Sequence, residues 1–190
     1  MRLLLASKSP RRRELLGQLA IPLTIVDVDV DEKVSGELPA GQVAETLARL
    51  KADGYRVVIA ADEVLVTADT VVVLGNQVLG KPHSHEEAAK MLHSLSGRVH
   101  QVYTGVCLRS AQRSVAFTER TDVHFRQMSD SEIEYYIDHY KPYDKAGAYG
   151  IQEWIGMVGI ERIEGCYYNV MGLPVARLYR ELMSLIGRSQ

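Results

Sequence analysis

The sequence has few cysteines and no concentrated histidine cluster. Its two cysteines, Cys107 and Cys166, lie far apart and form neither a CxxC motif nor a zinc-ligand spacing. This usage argues against a disulfide framework and favours a reducing, cytoplasmic compartment. The six histidines are scattered, and the nearest pair, His83 and His85, lacks the helical spacing and the third ligand of a zinc hydrolase. Zinc chemistry is therefore not expected.

An excess of charge and a long apolar run are also missing. Lys and Arg total 22 against 24 Asp and Glu, which gives a net charge of −2 and no overall attraction to nucleic acid or an acidic membrane. No segment reaches the roughly 18 apolar residues of a membrane helix. In the first segment the basic residues follow the apolar run, the reverse of a signal peptide. We expect neither a nucleic-acid nor a membrane partner, and any anion site must be local.

The remaining pattern alternates between strand and helix signals. Hydrophobic residues make up 46% of the chain and charged residues 24%, which is typical of one globular domain over 1–190. Period-two and β-branched segments predict strands at 2–6, 23–30, 57–61, 64–74, 78–79, 98–109 and 115–126. Helical spacing and caps predict helices from Pro10, at 42–52, from Ser84, at 129–140 and from Pro174. This order predicts an α/β or α+β domain with a mixed sheet.

Three consecutive arginines, Arg11, Arg12 and Arg13, stand in the first turn of the first predicted helix. The helix macrodipole disfavours cations there, and a bound phosphate would reverse that penalty. Helix-start N–H groups, the hydroxyls of Ser7 and Ser9, and guanidinium groups together suit phosphate oxygens. Removal of Arg12 is thus expected to weaken phosphate binding. In the protein without phosphate, it should also remove an unfavourable interaction between a cation and the helix macrodipole. A solvated basic turn remains the alternative, and no Walker A loop follows the strand.

Asp69 places a carboxylate within the apolar segment TADTVVV. Such a placement is costly unless the group ends a strand, is paired or binds metal, so Asp69 is a candidate catalytic or metal-binding residue. Alternatively, it simply begins a strand after a turn. The look-alike at 61–63 is weaker, because Glu63 replaces the threonine and Thr67 interrupts the following apolar run.

Two lysines are further phosphate candidates. Lys81 lies in the turn GKP, where Gly80 gives backbone freedom and Pro82 fixes the exit. Lys51 lies near the end of its predicted helix, where a cation also complements the macrodipole without any ligand. Each residue therefore keeps a purely structural alternative.

An acidic run and a glycine-rich segment complete the candidates. Asp27, Asp29, Asp31 and Glu32 could ligate Mg²⁺ or Mn²⁺, but alternating aspartates also suit a solvated strand face, from which Glu32 points away. The segment DKAGAYGIQ, 144–152, could approach a ligand with its backbone, and the Gln152 carboxamide could read a base edge. A tight structural turn is the alternative for this segment.

Taken together, these motifs resemble the Maf family of nucleotide pyrophosphatases. The matching segments are ASKSPRRRELL (6–16), VDE (30–32), LARLKA (47–52), ADTVV (68–72), GKP (80–82), DKAGAYGIQ (144–152) and GCYYNVMGLP (165–174). Their order and spacing match over nearly the whole chain. The resemblance implies an α/β fold with a mixed, twisted sheet flanked by helices, and two lobes with a central cleft. That architecture is similar to the inosine triphosphate pyrophosphatase-like fold, and the resemblance also implies a homodimer.

The resemblance further implies roles for individual residues. Ser7, Arg11, Arg12, Lys51 and Lys81 would bind the triphosphate, Glu32 and Asp69 would hold a divalent cation, Mg²⁺ or Mn²⁺, and Asp69 would accept the proton of the attacking water. Arg11, Thr70 and Gln152 resemble the specificity residues of the dTTP/UTP branch and differ from the 7-methyl-GTP branch. Cys166 stands where the family usually has serine, a departure that leaves the flanking match intact.

The activity implied is hydrolysis of dTTP and UTP, and with them CTP or modified pyrimidine nucleotides, to the monophosphate and pyrophosphate. Two alternatives remain open at this point. One is a nucleotide-binding regulator of septum formation without turnover, and the other is a 7-methyl-GTP pyrophosphatase.

Overall fold

The computed structural model describes residues 1–31 and 38–187. Its strands are β1 (Arg2–Leu5), β2 (Leu23–Ile25), β3 (Glu63–Leu74), β4 (Gln77–Leu79), β5 (Val99–Arg109), β6 (Ser114–Phe125) and β7 (Ile160–Glu164). Its helices are α1 (Pro10–Gly17), α2 (Ala40–Gly54), α3 (His85–Leu95), α4 (Asp130–Tyr140), α5 (Trp154–Gly159), α6 (Tyr167–Val170) and α7 (Val175–Leu185), with a short 3-10 helix at Ala146–Ala148. No helix in these ranges is long and apolar enough to span a membrane.

The strands form a mixed sheet, as predicted. Their order is β2-β1-β3-β5-β6-β7, with β4 also paired to β3. β1 runs parallel to both β2 and β3, so that Leu4 lies opposite Thr24 on one side and Leu65 on the other. β4 is antiparallel to β3, and β7 is antiparallel to β6. Parallel and antiparallel pairs in one sheet, joined by helices, confirm the predicted α/β class.

The chain divides into two compact units, which agrees with the expected two lobes. The first comprises Met1–Asp69, Thr104–Glu119 and Gly172–Gln190, and the second comprises Thr70–Tyr103 and Arg120–Met171. Each unit contains its own cluster of buried apolar side chains. Cys107 belongs to the first cluster, where burial raises the pKa of its thiol, so this cysteine serves as a small hydrophobe, as predicted.

In the first unit, α2 lies unusually close to the sheet. A Cβ atom on Gly105 of β5 would come within 2.2 Å of the Ala44 backbone, so only glycine fits at this crossing. The Thr67 hydroxyl of β3 donates to the Ala48 carbonyl at 2.5 Å, and the Thr118 hydroxyl of β6 donates to the Gly41 carbonyl at 3.0 Å. Three strands therefore fix the position of α2.

The structure corrects two strand predictions. Residues 57–61 belong to no strand of the described chain, and Val57 and Val58 are 64% and 88% exposed. β-branched residues favour extended backbone, but a strand also requires a paired neighbour, which this connection between α2 and β3 does not have in the described chain. The predicted strand 23–30 ends at Ile25. Strand β7 was not predicted, because its five residues mix charged and apolar side chains without a clear period-two pattern.

Helix caps were predicted with better success. Ser129 and Glu132 form the predicted reciprocal capping box of α4. Ser84 caps α3 by accepting from the Glu87 N–H, but the Glu87 carboxylate accepts from the N–H of His83 at 2.7 Å instead of from that of Ser84. The first half of that predicted box is confirmed and the second is wrong.

Candidate active site

Arg12 is a buried tether in the first unit. Ser9 caps α1 by accepting from the Arg12 N–H, and Pro10 occupies the first helical position, as predicted. The Arg12 side chain is folded inward, so that the residue is only 8% exposed. Its Nε donates to the Gly172 carbonyl at 2.8 Å, and its Nη1 donates to the Ala68 carbonyl at 2.8 Å.

These contacts contradict the solvated-turn interpretation for Arg12, although Arg13 is exposed. Carbonyl oxygens carry partial negative charge, so they offset the unfavourable position of a cation at the helix start. Arg12 Nη1 also donates to the Ser7 Oγ at 3.3 Å, which brings two predicted phosphate ligands together. Because Ala68 immediately precedes Asp69, Arg12 also ties this turn to the middle of β3, next to the candidate base.

Lys51 and Asp69 form a partly buried ion pair. The Lys51 Nζ lies 2.6 Å from the Asp69 Oδ1, and the two side chains are 15% and 17% exposed. Asp69 ends the run of buried residues from Val64 to Ala68, and β3 becomes buried again from Val71. The carboxylate therefore lies within β3, as expected, and the alternative of a strand start is wrong.

The fold explains why this pair forms. Residues two apart on a strand face the same side, so Asp69 projects from β3 like Thr67. Residues three apart on a helix are neighbours, so Lys51 lies one turn beyond Ala48. The Thr67 hydroxyl contacts the Ala48 carbonyl at 2.5 Å, and this contact aligns the two rows. Lys51 consequently meets Asp69, a proximity that neither local pattern revealed.

The available donors suit a metal that is shared with substrate. Mg²⁺ is commonly held by one or two carboxylates, with phosphate oxygens and water completing its shell. Asp69 is a partly buried carboxylate, and the described residues contain no group of three or more His, Cys, Asp or Glu that could hold a metal ion. Asp27, Asp29 and Asp31 are exposed, in agreement with the solvated interpretation. Glu32, the other predicted metal ligand, lies outside the described residues.

The second unit carries Thr70, Lys81 and Gln152. Thr70 is partly buried on β3, whereas Lys81 and Gln152 are exposed. The predicted backbone freedom of Gly80 is not used in the structure, because its φ is not positive and a Cβ there would have no described atom within 4 Å. The Gly80 carbonyl instead accepts from the Gly147 N–H at 3.0 Å, which connects the Lys81 turn to the segment that leads to Gln152.

A buried polar cluster underlies the Gln152 turn. The Tyr136 hydroxyl of α4 donates to the Glu153 carboxylate and accepts from the Gly150 N–H at 3.0 Å. Lys145, 7% exposed, pairs with Glu153 at 3.0 Å and with Asp144 at 2.7 Å. Burial and the Glu153 carboxylate raise the pKa of Tyr136, so its hydroxyl keeps its proton at neutral pH. Sequence reasoning missed this cluster, since Tyr136 has only the helical spacing of a core residue.

The segment GCYYNVMGLP is held by Thr121 of β6. The Thr121 Oγ1 accepts from the Cys166 N–H and from the Asn169 Nδ2, each at 3.0 Å. Asn169 is fully buried and also donates to the Val102 carbonyl at 3.0 Å. In the first unit, Gly172 of the same motif provides the carbonyl for Arg12. The motif is therefore structural at these positions, and Cys166 contributes its backbone.

Comparison with known proteins decides the family. The model of the family described as Maf-like protein matches residues 2–185. This chain belongs to the Maf family. Its relatives include the dTTP/UTP pyrophosphatase of Bacteroides thetaiotaomicron, 49% identical over 96% of this chain and 95% of the relative. That of Parabacteroides distasonis is 50% identical over 95% of this chain and 94% of the relative.

Two solved structures show a partial likeness to this chain. The nucleoside-triphosphatase, or dITP/XTP pyrophosphatase, of Mycobacterium abscessus is 15% identical with a TM-score of 0.42, over 67% of this chain and 76% of that one. The Staphylococcus aureus Ham1 protein is 15% identical with a TM-score of 0.47, over 66% of this chain and 72% of that one.

Proposed function

We propose that this Maf protein hydrolyses dTTP and UTP to the monophosphate and pyrophosphate. Relatives about half identical over nearly their full lengths bear the name dTTP/UTP pyrophosphatase. The observation in the structure that carries the proposal is the Lys51–Asp69 pair, a carboxylate placed within an otherwise buried strand. Partial burial of a carboxylate is costly unless a partner such as Lys51 compensates its charge, and a role in proton transfer explains why a carboxylate occupies this position.

The reaction is a displacement at the α-phosphorus. Asp69 accepts a proton from the attacking water, a new P–O bond forms, and the bond from the α-phosphorus to the bridging oxygen breaks. Pyrophosphate departs with the bonding electrons. Lys51 neutralises negative charge beside Asp69, and Ser7, Arg11 and Arg12 contribute hydroxyl and guanidinium donors to the phosphates. Lys81 is a further phosphate ligand in this proposal, and no covalent intermediate is required.

A divalent cation, Mg²⁺ or Mn²⁺, is part of the proposal. Asp69 would hold it, with Glu32 as the second carboxylate assigned by family resemblance. When bound, such an ion neutralises phosphate charge and polarises the phosphoryl oxygens. In this proposal activity depends on added metal, is lost on chelation and returns when the metal is restored.

Base selection is assigned to Arg11, Thr70 and Gln152. The phosphate tail is the same in every nucleoside triphosphate, so discrimination must come from contacts with the base. The exposed Gln152 carboxamide offers a donor and an acceptor side by side, which suits the adjacent N–H and carbonyl of uracil or thymine. A homodimer and a cytoplasmic location, which follow from resemblance and cysteine usage, complete the proposal.

Pyrophosphate release from one nucleotide panel tests the function. The panel contains dTTP, UTP, CTP, dATP and 7-methyl-GTP, each with Mg²⁺ and with Mn²⁺, and dTTP and UTP should give the highest kcat/KM. Preference for 7-methyl-GTP would assign the chain to the other branch. Tight binding of dTTP without release of pyrophosphate would instead support a nucleotide-binding regulator.

A further inference from the structure

The Gln152 turn has a backbone bond of its own, from the Glu153 N–H to the Gly150 carbonyl at 3.0 Å, but this bond does not orient the Gln152 carboxamide. An exposed carboxamide rotates freely, whereas base discrimination requires donor and acceptor to be held in one geometry. Gln152 lies between a turn and α5, outside the paired strands of the sheet. A single turn geometry therefore needs support beyond that one backbone bond.

The polar cluster beneath the turn has the contacts to do this. The Tyr136 hydroxyl accepts from the Gly150 N–H at 3.0 Å, two residues before Gln152, and donates to Glu153, the residue that follows Gln152. Tyr136 is fully buried in α4 and is anchored in the core of the second unit. Its single hydroxyl thus bonds the backbone before Gln152 and the side chain of the residue after it.

Lys145 completes this arrangement from the other end of the segment. Its Nζ lies 3.0 Å from Glu153 and 2.7 Å from Asp144, so it links the first and last parts of 144–153. A Cβ on Gly150 would come within 3.0 Å of both Lys145 and Glu153, which shows how tightly the turn lies on the pair. The Gly147 N–H, bonded to the Gly80 carbonyl at 3.0 Å, holds the middle of the segment.

Stability alone does not account for the cluster. Desolvation of two opposite charges largely cancels their attraction, so a buried ion pair is often no more stable than apolar residues of the same volume. Directional bonds do, however, select one backbone conformation among several. The burial of Lys145 beside Glu153 is therefore better explained by selection of a single turn geometry than by a gain in stability.

We propose that Tyr136, Glu153 and Lys145, here called the turn cluster, are positioning residues that hold the Gln152 carboxamide in place for base recognition. The inference rests on the proposed function, in which Gln152 reads a pyrimidine. The turn cluster touches neither the base nor the phosphates. It acts through the backbone of 150–153 and therefore determines selectivity between nucleotides more than the rate of phosphate chemistry.

The central experiment removes one hydroxyl. Tyr136→Phe retains the ring but deletes both bonds to the turn, and Tyr140→Phe is the matched control, since its half-exposed ring stacks on Tyr136 with centroids 5.1 Å apart. The ratio of kcat/KM for dTTP to that for dATP should fall about tenfold in Tyr136→Phe, the usual effect of one misplaced hydrogen bond. The control should keep the wild-type ratio.

A double-mutant cycle separates positioning from a general effect on the fold. In a Gln152→Ala background, Tyr136→Phe should change the ratio by less than about twofold, because the side chain that it positions is gone. Hydrogen exchange of the 150–153 amides should be faster in Tyr136→Phe than in the Tyr140→Phe control. Glu153→Gln, which keeps the side-chain volume, provides a second variant if circular dichroism shows Tyr136→Phe to be unfolded.

The outcomes are distinguishable. Equal losses of kcat/KM for dTTP and dATP, an undiminished effect in the Gln152→Ala background, or unchanged amide exchange would overturn the inference while leaving the proposed function intact. A wild-type protein that neither hydrolyses nor prefers dTTP and UTP would remove the proposed function and the inference with it. The wild-type panel is therefore measured first.

Discussion

Lys51 and Asp69 of the first unit lie on a helix and a strand, whereas Gln152 of the second unit lies in a turn. The helix α2 is fixed by the Gly105 crossing and the Thr67 hydroxyl, and the ion pair of 2.6 Å follows from that packing. The turn is closed by one backbone bond, from the Glu153 N–H to the Gly150 carbonyl at 3.0 Å, and the Tyr136 hydroxyl and the buried ion pair support it.

This difference suits the two tasks in the proposed function. Proton transfer requires a carboxylate in one position for every substrate, and regular elements hold a side chain most precisely. Base recognition differs between branches of a family, and a turn tolerates changes of sequence that a central strand does not. In the proposed function the base Asp69 thus lies on the sheet, whereas Gln152, one of the three residues assigned to base recognition, lies on a turn that is supported separately.

The largest expected effect comes from Asp69→Asn, which removes the charge from the regular-element site. The amide keeps the shape and still accepts a bond from Lys51, but it cannot take the proton of water. Pyrophosphate release should fall about a thousandfold, within the usual range for a general base. Asp62→Asn, at an exposed aspartate just before β3, is the control. Near-normal rates in a folded Asp69→Asn protein would refute the assignment of Asp69 as the base.

Gly105→Ala tests whether close packing positions Lys51. The added Cβ would lie 2.2 Å from the Ala44 backbone, so α2 must move and Lys51 with it. Stability should fall by about 3 kcal/mol, the upper part of the range for overpacking, and turnover should fall for all nucleotides alike. Gly17→Ala is the control, because a Cβ there has no described atom within 4 Å. Urea unfolding and the nucleotide panel provide the measurements, and a loss confined to dTTP and UTP would contradict the argument.

His100 should make the core of the second unit sensitive to acid. Burial, with a smaller contribution from His124, lowers its pKa from 6.5 to about 4, and its Nε2 lies 2.7 Å from the Tyr149 hydroxyl. Between these pH values the unfolded chain binds a proton that the folded chain does not. The free energy of unfolding should therefore fall as the pH drops through this window, by roughly 3 kcal/mol in total, since one unit of pKa is worth about 1.4 kcal/mol.

The variant His100→Gln isolates that contribution, because it removes the titrating ring while other acidic groups still respond. Between pH 6.5 and about 4, the free energy of unfolding should fall more steeply with decreasing pH for the wild-type protein than for His100→Gln. Above pH 6.5 the two slopes should agree. Parallel curves throughout the range would show that His100 binds its proton equally in both states.

The sequence predicted elements whose signals are local and missed contacts that join distant segments. Strand β3, the α4 capping box and the strand position of Asp69 were all predictable, because apolar runs and cap spacings act within a few residues. The Lys51–Asp69 pair spans 18 positions and depends on the α2 crossing at Gly105. No periodicity of either segment contains that information.

Misleading local signals were overridden by partners elsewhere. Val57 and Val58 have strong strand propensity, yet both are largely exposed and no described strand includes them. Tyr136 fits the apolar stripe of α4, and its hydroxyl acquires a role only because Gly150 and Glu153 fold against it. Gly80 seemed to require freedom of its backbone, but its contribution is a carbonyl for Gly147. In each case tertiary contacts decide the outcome.

Arg12→Ala has the smallest expected effect on stability of these changes, and it tests whether a buried charged side chain holds a turn in the first unit, as Lys145 does in the second. From the sequence alone, removal of a cation at a helix start should relieve about 0.3–1 kcal/mol. The structure reverses that sign, because the guanidinium bonds the Ala68 and Gly172 carbonyls at 2.8 Å each, and a hydrogen bond to a charged group is worth about 1.5–3 kcal/mol.

The loss should therefore exceed the relief, with a net destabilisation of about 2 kcal/mol in urea unfolding. Arg13→Ala, at an exposed position in the same turn, is the matched control and should change stability by less than about 0.5 kcal/mol. Arg12→Lys should fall between them, because it keeps the charge but lacks the fork that reaches both carbonyls. If Arg12→Ala were as stable as Arg13→Ala, the Arg12 bonds would not stabilise this turn, and only the Ser9 cap and the backbone would hold it.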